Sequence, residues 1–136
     1  MKRLYLKGYL HIYDYDKEWR LEDRQRYDLS NKSCDLLDKL YEFAIENSFC
    51  IGLDILIPNC NLRIYVTNNK STLDEAQTYL LGVFDGLIES DLYYWGYSEY
   101  TVVGFSVDSF TIGGHDLKKE LKQYAGKYVH FVLETE

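Results

Sequence analysis

The sequence predicts an α+β fold with a ferredoxin-like βαββαβ core, a C-terminal βαβ extension and a mostly antiparallel sheet with helices on one face. Three observations lead to this prediction. Several stretches alternate apolar and polar residues, which indicates strands. Others place apolar residues three or four positions apart, which indicates helices. In chain order these stretches read β-α-β-β-α-β and then β-α-β.

The first third of the chain predicts a strand, a connector and a helix. Residues 3–15 alternate leucine with tyrosine, which is typical of a strand. Residues 16–31 mix charges of both signs without periodicity, so we expect an exposed connector. It is either a solvated link or a partner-binding loop with Trp19 as its aromatic anchor. A helix is expected from Ser33, as its N-cap, to about Asn47.

The middle of the chain predicts a hairpin followed by a second helix. Strands at 50–57 and 62–67 flank Pro58-Asn59-Cys60-Asn61, a link typical of a hairpin. Thr72-x-x-Glu75 is a capping box, and apolar residues at helical spacing follow it to about Ser90. This pattern predicts a long amphipathic helix.

The last third predicts mainly strands. Residues 92–112 are mostly β-formers and predict two strands or one long bent strand. A short helix is expected from Asp116 to Tyr124, ended by Gly126 in the left-handed region, and a last strand from Lys127 to Leu133.

Composition narrows the class of protein. The 136 residues are 46% hydrophobic with one proline, which favours a single folded domain over residues 1–136. No apolar stretch is long enough for a membrane helix. The three cysteines match no metal spacing, so we expect a reduced, cytoplasmic protein without metal or cofactor.

Charge is the most informative feature for function. The chain carries a net charge of −7, and residues 71–117 contain eight carboxylates but no lysine or arginine. Helix capping accounts for Asp74, Glu75 and Asp116. The five other acids suggest a field kept for a basic partner, and the aromatic residues between them are typical interface anchors. The alternatives are that the acids serve solubility and that these aromatic residues pack in the core. The predicted partner surface comprises Asp85, Glu89, Asp91, Tyr94, Trp95, Tyr97, Glu99, Asp108 and Trp19.

Catalytic motifs are not found in the sequence. There is no nucleophile elbow, Walker loop or dinucleotide fingerprint. His11 and His130 fall on predicted strands with no nucleophile tied to them, and Asp14, Asp16 and Asp54 have a spacing too unspecific for a metal nuclease. We therefore expect a protein that is not an enzyme.

A second kind of site remains open at a glycine pair. Gly113 and Gly114 precede a predicted helix, whose backbone N–H groups could hold a phosphate with help from His115 and Lys118. Asp116 competes for the same positive helix end. The alternative function is therefore a nucleotide or small-ligand binding module, and the competing structural interpretation is a tight turn with an acid-capped helix.

The composition resembles that of small, acidic phage-encoded inhibitors of bacterial defence, including anti-CRISPR proteins. The tail Gly113-Gly114-His115-Asp116-Leu117 with Tyr124-x-Gly126-Lys127-Tyr128 is similar to endings of uncharacterised phage reading frames. This resemblance implies an inhibitor that occupies the nucleic-acid groove of its target in the bacterial host cell. We expect a basic protein partner, a nucleic-acid-binding protein or a nuclease, and no direct contact with nucleic acid, because phosphates would be repelled. An immunity protein for a toxin nuclease would carry the same acidic surface.

Overall fold

The computed structural model describes residues 2–13, 18–23, 33–51, 54–98 and 101–136. The strands within these ranges are β1 Lys2–Tyr13, β2 Glu18–Glu22, β3 Ser33–Asp35, β4 Cys50–Ile51, β5 Asp54–Thr67, β6 Leu80–Ser98, β7 Thr101–Ile112, β8 His115–Asp116 and β9 Tyr128–Thr135. The helices are α1 Leu36–Glu46, α2 Leu73–Ala76 and α3 Leu117–Lys122, with a 3₁₀ turn at Gln77–Tyr79 after α2.

The strands form one sheet in the order β3-β2-β1-β9-β5-β6-β7-β8, with β4 paired to β5. All pairings among the described residues are antiparallel. The sheet curls into a half-barrel. The predicted ferredoxin-like core is therefore wrong, although the expectation of a mostly antiparallel sheet holds.

The main error is the predicted second helix. The capping box forms, with the Glu75 backbone N–H donating to Thr72 Oγ1 at 3.3 Å, but α2 lasts one turn. From Leu80 onward the chain becomes β6 and pairs with β5 from Tyr65↔Leu80 to Asp54↔Asp91. Glycines at 82 and 86 weaken a helix, and pairing along a whole strand outweighs the helical spacing of the leucines.

The predicted hairpin at 58–61 is also wrong. β5 runs through this point without reversing, and the register with β6 shifts between Ile57 and Cys60. A proline removes a ladder hydrogen bond and is tolerated at such a bulge. Asn59 adopts the left-handed region with φ 53°, which provides the extra residue of the bulge.

Smaller differences lie in the connector and at the start of α1. The predicted connector contains β2, which pairs with β1, while residues 14–17 and 24–32 lie outside the described residues. Ser33 begins β3 and does not cap a helix; α1 starts three residues later at Leu36. The predictions for β1, the two strands within 92–112, the short C-terminal helix and the last strand are confirmed.

Both faces of the sheet are covered over part of their area. We call the inner face the side on which α1 and α3 pack; its largest buried residues include Leu10, Leu40, Ile64, Phe110 and Phe131. On the opposite, outer face, α2 packs through Ala76 and Leu73 against Tyr65 and Val132. The prediction that helices lie on one face is therefore wrong as well. None of the described helices combines the length and apolarity that a membrane crossing requires.

Candidate interaction surface

The exposed apolar side chains are concentrated at the start of β6. Of the seven large hydrophobic residues that are exposed in the described part of the chain, five lie between Tyr79 and Leu87. We call these five the apolar strip: Tyr79, Leu80, Leu81, Val83 and Leu87. Their exposed fractions range from 39% for Leu87 to 62% for Tyr79. A continuous group of exposed apolar residues is typical of an interaction site.

The alternation of β6 explains why Val83 and Leu87 face solvent. Alternate residues of a strand lie on opposite faces of the sheet. Phe84 packs against the inner core, and Ile88 and Ser90 are buried. Val83, Asp85, Leu87 and Glu89 occupy the intervening positions and are exposed on the outer face.

Two of the predicted acids, Asp85 and Glu89, share this outer face with Val83 and Leu87 of the apolar strip. Asp85 and Glu89 are four residues apart, so they lie roughly 13 Å apart along the strand. Asp85 accepts a hydrogen bond from the Asn61 side-chain amide on the neighbouring strand. Within the described part of the chain neither carboxylate forms an ion pair, and Arg63, opposite Val83, is exposed. Their charge is therefore open to a partner.

Further acidic residues meet in the backbone register of β5, β6 and β7. Asp54 on β5 is directly opposite Asp91 on β6. The pairing of β6 with β7 shifts between Ser90 and Leu92, which leaves Asp91 beside the segment that contains Asp108. The backbone register thus brings the predicted positions 91 and 108 close together. Position 91 lies two residues beyond Glu89 along β6.

The other predicted anchors are more widely spread. Tyr94, Trp95 and Tyr97 belong to the C-terminal half of β6, where the backbone pairs with β7 at Phe105, Gly104 and Val102. Glu99 lies outside the described residues. Trp19 belongs to β2, which is separated from β6 in the sheet by β1, β9 and β5. The strand order therefore does not place Trp19 beside the acids.

The glycine pair forms a hairpin turn and not the start of a helix. Gly113 and Gly114 have φ values of 54° and 86°, as a type I′ turn requires, and they connect β7 to β8. The Gly113 N–H donates to the Leu87 carbonyl at 3.0 Å, so it is engaged with β6. His115 follows in β8, and Lys118 belongs to the six-residue α3. This geometry favours the tight-turn interpretation over a phosphate cradle.

A hydrogen-bonded chain of side chains lies on the outer face, beside the segment that leads to β6. His130 is fully buried on β9, and its Nδ1 lies 2.7 Å from the Tyr5 hydroxyl. Its Nε2 lies 3.0 Å from Ser71 Oγ, which is 2.8 Å from Thr67 Oγ1. Thr67 Oγ1 in turn donates to the Asn69 carbonyl at 2.8 Å. A serine next to a histidine raises the question of nucleophilic catalysis.

The end of this chain fixes the direction of its bonds as far as Nε2 of His130. A carbonyl can only accept, so the single hydroxyl proton of Thr67 points to Asn69. Ser71 must then donate to Thr67, and His130 Nε2–H must donate to Ser71. Nδ1 accepts from Tyr5. With its Nε2 protonated, His130 cannot remove the Ser71 proton, so this pair does not form an activated nucleophile.

This row of hydrogen-bonded side chains, from Tyr5 through His130 to Thr67, therefore has a structural role. It holds residues 67–71 against the sheet, and these residues lead directly into α2 and Tyr79. The Lys70 N–H also donates to the Tyr9 hydroxyl at 2.8 Å. Burial holds the pKa of His130 below its ordinary value, and the positive charge of Lys7 acts in the same direction. A neutral imidazole that carries its proton on Nε2 and accepts from Tyr5 at Nδ1 is consistent with this hydrogen-bonding pattern.

A cleft of 430 Å³ adjoins the apolar strip where the 67–71 segment meets β6. Its walls include Ser71, Glu75, Tyr79, Leu81 and Lys127. Two residues of the apolar strip thus line a cavity large enough to accept a side chain of a partner. The cleft makes this part of the strip concave.

No metal centre is found in the described part of the chain. Among those residues, no three histidine, cysteine or carboxylate side chains are grouped so that they could hold an ion. Asp14 and Asp16 lie outside the described residues. Cys60 is buried, and burial raises the pKa of its thiol to about 11, which makes it a poor nucleophile and a poor ligand.

The sequence reasoning missed the apolar strip, because the leucines of 80–88 were assigned to the buried stripe of a helix. A signal for the correct structure was present. From Gly82 to Ser90 the odd-numbered positions are large or charged, while Gly82 and Gly86 lie on the other face. Small residues at a spacing of four also match a strand with period two.

Comparison of the chain with protein-family models, with curated proteins and with solved structures gave no match.

Proposed function

We propose that this chain is a non-enzymatic interaction protein that binds a basic, nucleic-acid-binding protein and inhibits it. The observation that carries the proposal is the coincidence, on the outer face of β6, of exposed apolar residues with two carboxylates that have no ion-pair partner in the described part of the chain. An apolar strip supplies contact area, and same-signed charges beside it supply selectivity.

The apolar strip and the two carboxylates should contribute binding free energies of different size. Full burial of a large apolar side chain contributes about 1.5–3 kcal/mol, and these side chains are about half exposed, so five of them could contribute several kcal/mol. An exposed ion pair contributes roughly 0–1 kcal/mol. Both components should therefore be needed for capture: the apolar strip supplies contact area, and Asp85 and Glu89 accelerate association and make binding depend on salt.

The resemblance to phage-encoded inhibitors of bacterial defence supports the biological setting of this proposal. In that setting the acidic face would occupy a groove that the target uses for nucleic acid, in the cytoplasm of the bacterial host. An immunity protein that blocks a toxin nuclease would use the same surface chemistry. The two differ in the partner alone, so identification of the bound protein separates them.

The test is capture of a partner on the immobilised protein. Lysate of a bacterial host is applied at ~50 mM salt and eluted in steps to ~200 mM, because exposed charges are screened within a Debye length. We expect a nucleic-acid-binding protein to elute within this range. Val83→Thr combined with Leu87→Thr should reduce capture about tenfold.

The matched control is Ile45→Thr, which replaces an exposed apolar residue on α1, and it should retain capture. Binding that withstands salt, or that the strip variant leaves unchanged, contradicts the proposal. Inhibition is then tested directly, by adding the protein to the captured partner and measuring the partner's affinity for nucleic acid.

A further inference from the structure

Among the described residues, no strand lies beside one edge of β6 over its first residues. β5 pairs with β6 from Leu80 onward, but β7 joins the other edge only at Ile88. The glycine turn after β7 closes the edge next to Leu87, through the Gly113 N–H. Between these points, residues 80–84 have an open edge in the described part of the structure. Natural sheets usually protect such edges, since they can pair with another chain.

The backbone groups that point out of this edge can be identified. N–H and C=O groups of successive residues alternate in direction along a strand. The Leu87 carbonyl points to the β7 side, where it accepts from Gly113, and the Asp85 carbonyl also lies against Gly113. Two residues further back, the N–H and C=O of Val83 point the same way, and no backbone bond from the described residues reaches them on that side.

The side chains next to this edge define the chemistry of an added strand. On the outer face, Val83 is exposed and Asp85 presents its charge. On the inner face, Phe84 is only partly buried and contacts the His115 ring, with centroids 5.7 Å apart. An added strand would therefore place a basic residue near Asp85 on one face and an apolar residue over Phe84 on the other.

We infer that the partner adds an extended, basic and apolar alternating segment to β6 at Leu80–Phe84, as a further antiparallel strand. This inference rests on the proposed function and specifies how the partner is held. Charge complementarity selects such a segment over a second copy of this chain. Each copy carries −7, and pairing two β6 edges would bring the Asp85 and Glu89 carboxylates of both copies to one surface.

The test uses a synthetic peptide of alternating lysine and valine as the probe. A matched peptide carries N-methyl groups on alternate amides, which removes the strand hydrogen bonds and retains the charge. We expect the first peptide to bind at least about tenfold more tightly than the second. Amide exchange at Val83 should slow at least about tenfold on binding, since its N–H becomes bonded.

The variant Val83→Pro removes the outward N–H without removing a bond to β5, and an edge strand tolerates proline there. It should abolish the difference between the two peptides, while Val83→Thr retains it. An unchanged melting temperature of Val83→Pro shows that the variant is folded. If the variant is destabilised, the inference is tested by the change in amide exchange at Val83 when the peptide binds to the unmodified protein. Equal binding of both peptides, unchanged exchange at Val83, or self-association through this edge would overturn the inference.

Capture of the lysate partner by two variants distinguishes failure of the strand addition from failure of the proposed function. If Val83→Pro still captures the lysate partner, but the double variant Asp85→Asn with Glu89→Gln does not, docking uses the outer face and not the edge. The proposed function then stands and the strand addition fails. If neither variant affects capture, both fail.

Discussion

The hydroxyl of Tyr5 is hydrogen-bonded to Nδ1 of His130 across 125 positions of sequence, at 2.7 Å. This bond joins β1 to the central strand β9 and ties the imidazole into the chain that ends at Asn69. Burial lowers the pKa of His130 from 6.5. The residue is therefore coupled to stability through pH.

We expect the free energy of unfolding to fall as the pH drops below about 6.5. The unfolded chain takes up the histidine proton there, while the folded chain keeps His130 neutral until a lower pH, so the unfolded state binds more protons in that window. Above pH 6.5 His130 is neutral in both states, so its contribution to the free energy of unfolding is fully present. Urea unfolding at pH 7.5 and 5.5 measures the slope.

The change in the free energy of unfolding between pH 7.5 and 5.5 should be smaller in His130→Asn, whatever the absolute stability of that variant. His115→Gln, at an exposed histidine, is the control and should retain the slope. An identical slope in all three proteins would contradict the assignment of a buried neutral imidazole to His130.

Leu87 and Ile88 distinguish the strand from the helix that the sequence predicts. As a strand, the segment exposes Leu87 and buries Ile88 completely. We expect Leu87→Thr to change the free energy of unfolding by less than about 0.5 kcal/mol. Ile88→Ala should cost about 2–5 kcal/mol. Similar large losses in both variants would instead indicate the helical stripe, in which both residues face the core.

Gly113 and Gly114 test the close contact between the glycine turn and β6. Both residues have positive φ, so an alanine is strained at either position by about 1–2 kcal/mol. At Gly113 a Cβ would also overlap the Asp85 carbonyl, whereas at Gly114 it would meet open space. Gly113→Ala should therefore be more destabilising than Gly114→Ala by about 1–3 kcal/mol in chemical denaturation. Equal losses would show that the turn does not pack against β6.

Cys60 should resist alkylation in the folded protein. A thiol with a pKa of about 11, in place of 9.0, has roughly one hundredth of the usual thiolate at pH 8. Peptide mapping after iodoacetamide treatment separates Cys60 from Cys34 and Cys50. We expect labelling of Cys60 to be roughly a hundredfold slower in the native protein than in denaturant. Rapid native labelling would show that the thiol is not buried.

Local patterns predicted several elements, and long-range pairing decided the rest. Alternation identified β1 and the last strand, and the capping box at Thr72 forms as expected. The helix that should follow it does not, since leucines at 80, 81 and 87 fit a helix or an exposed strand equally well. Pro58 looked like a turn because the bulge that accommodates it depends on the register of β5 with β6.

Part of the candidate surface was predictable although the segment forms a strand and not the predicted helix. A spacing of four residues places Asp85 and Glu89 on one face of a helix and also on one face of a strand. The apolar anchors were not predictable in this way, because the helix and the strand bury different residues of the same segment. Trp19 is proposed as a partner anchor because it is the large aromatic residue of the charged connector, and strand order separates it from the acids.

The most direct test of the central claim is charge reversal on the outer face of β6. Asp85→Lys with Glu89→Lys is compared with Glu42→Lys with Glu46→Lys on α1, which changes net charge equally. If β6 docks a basic protein, the first variant should capture at least about tenfold less of the salt-eluted partner, and the second should capture a similar amount to the unmodified protein. Equal capture by both variants, or an equal loss in both, would contradict a specific acidic docking face.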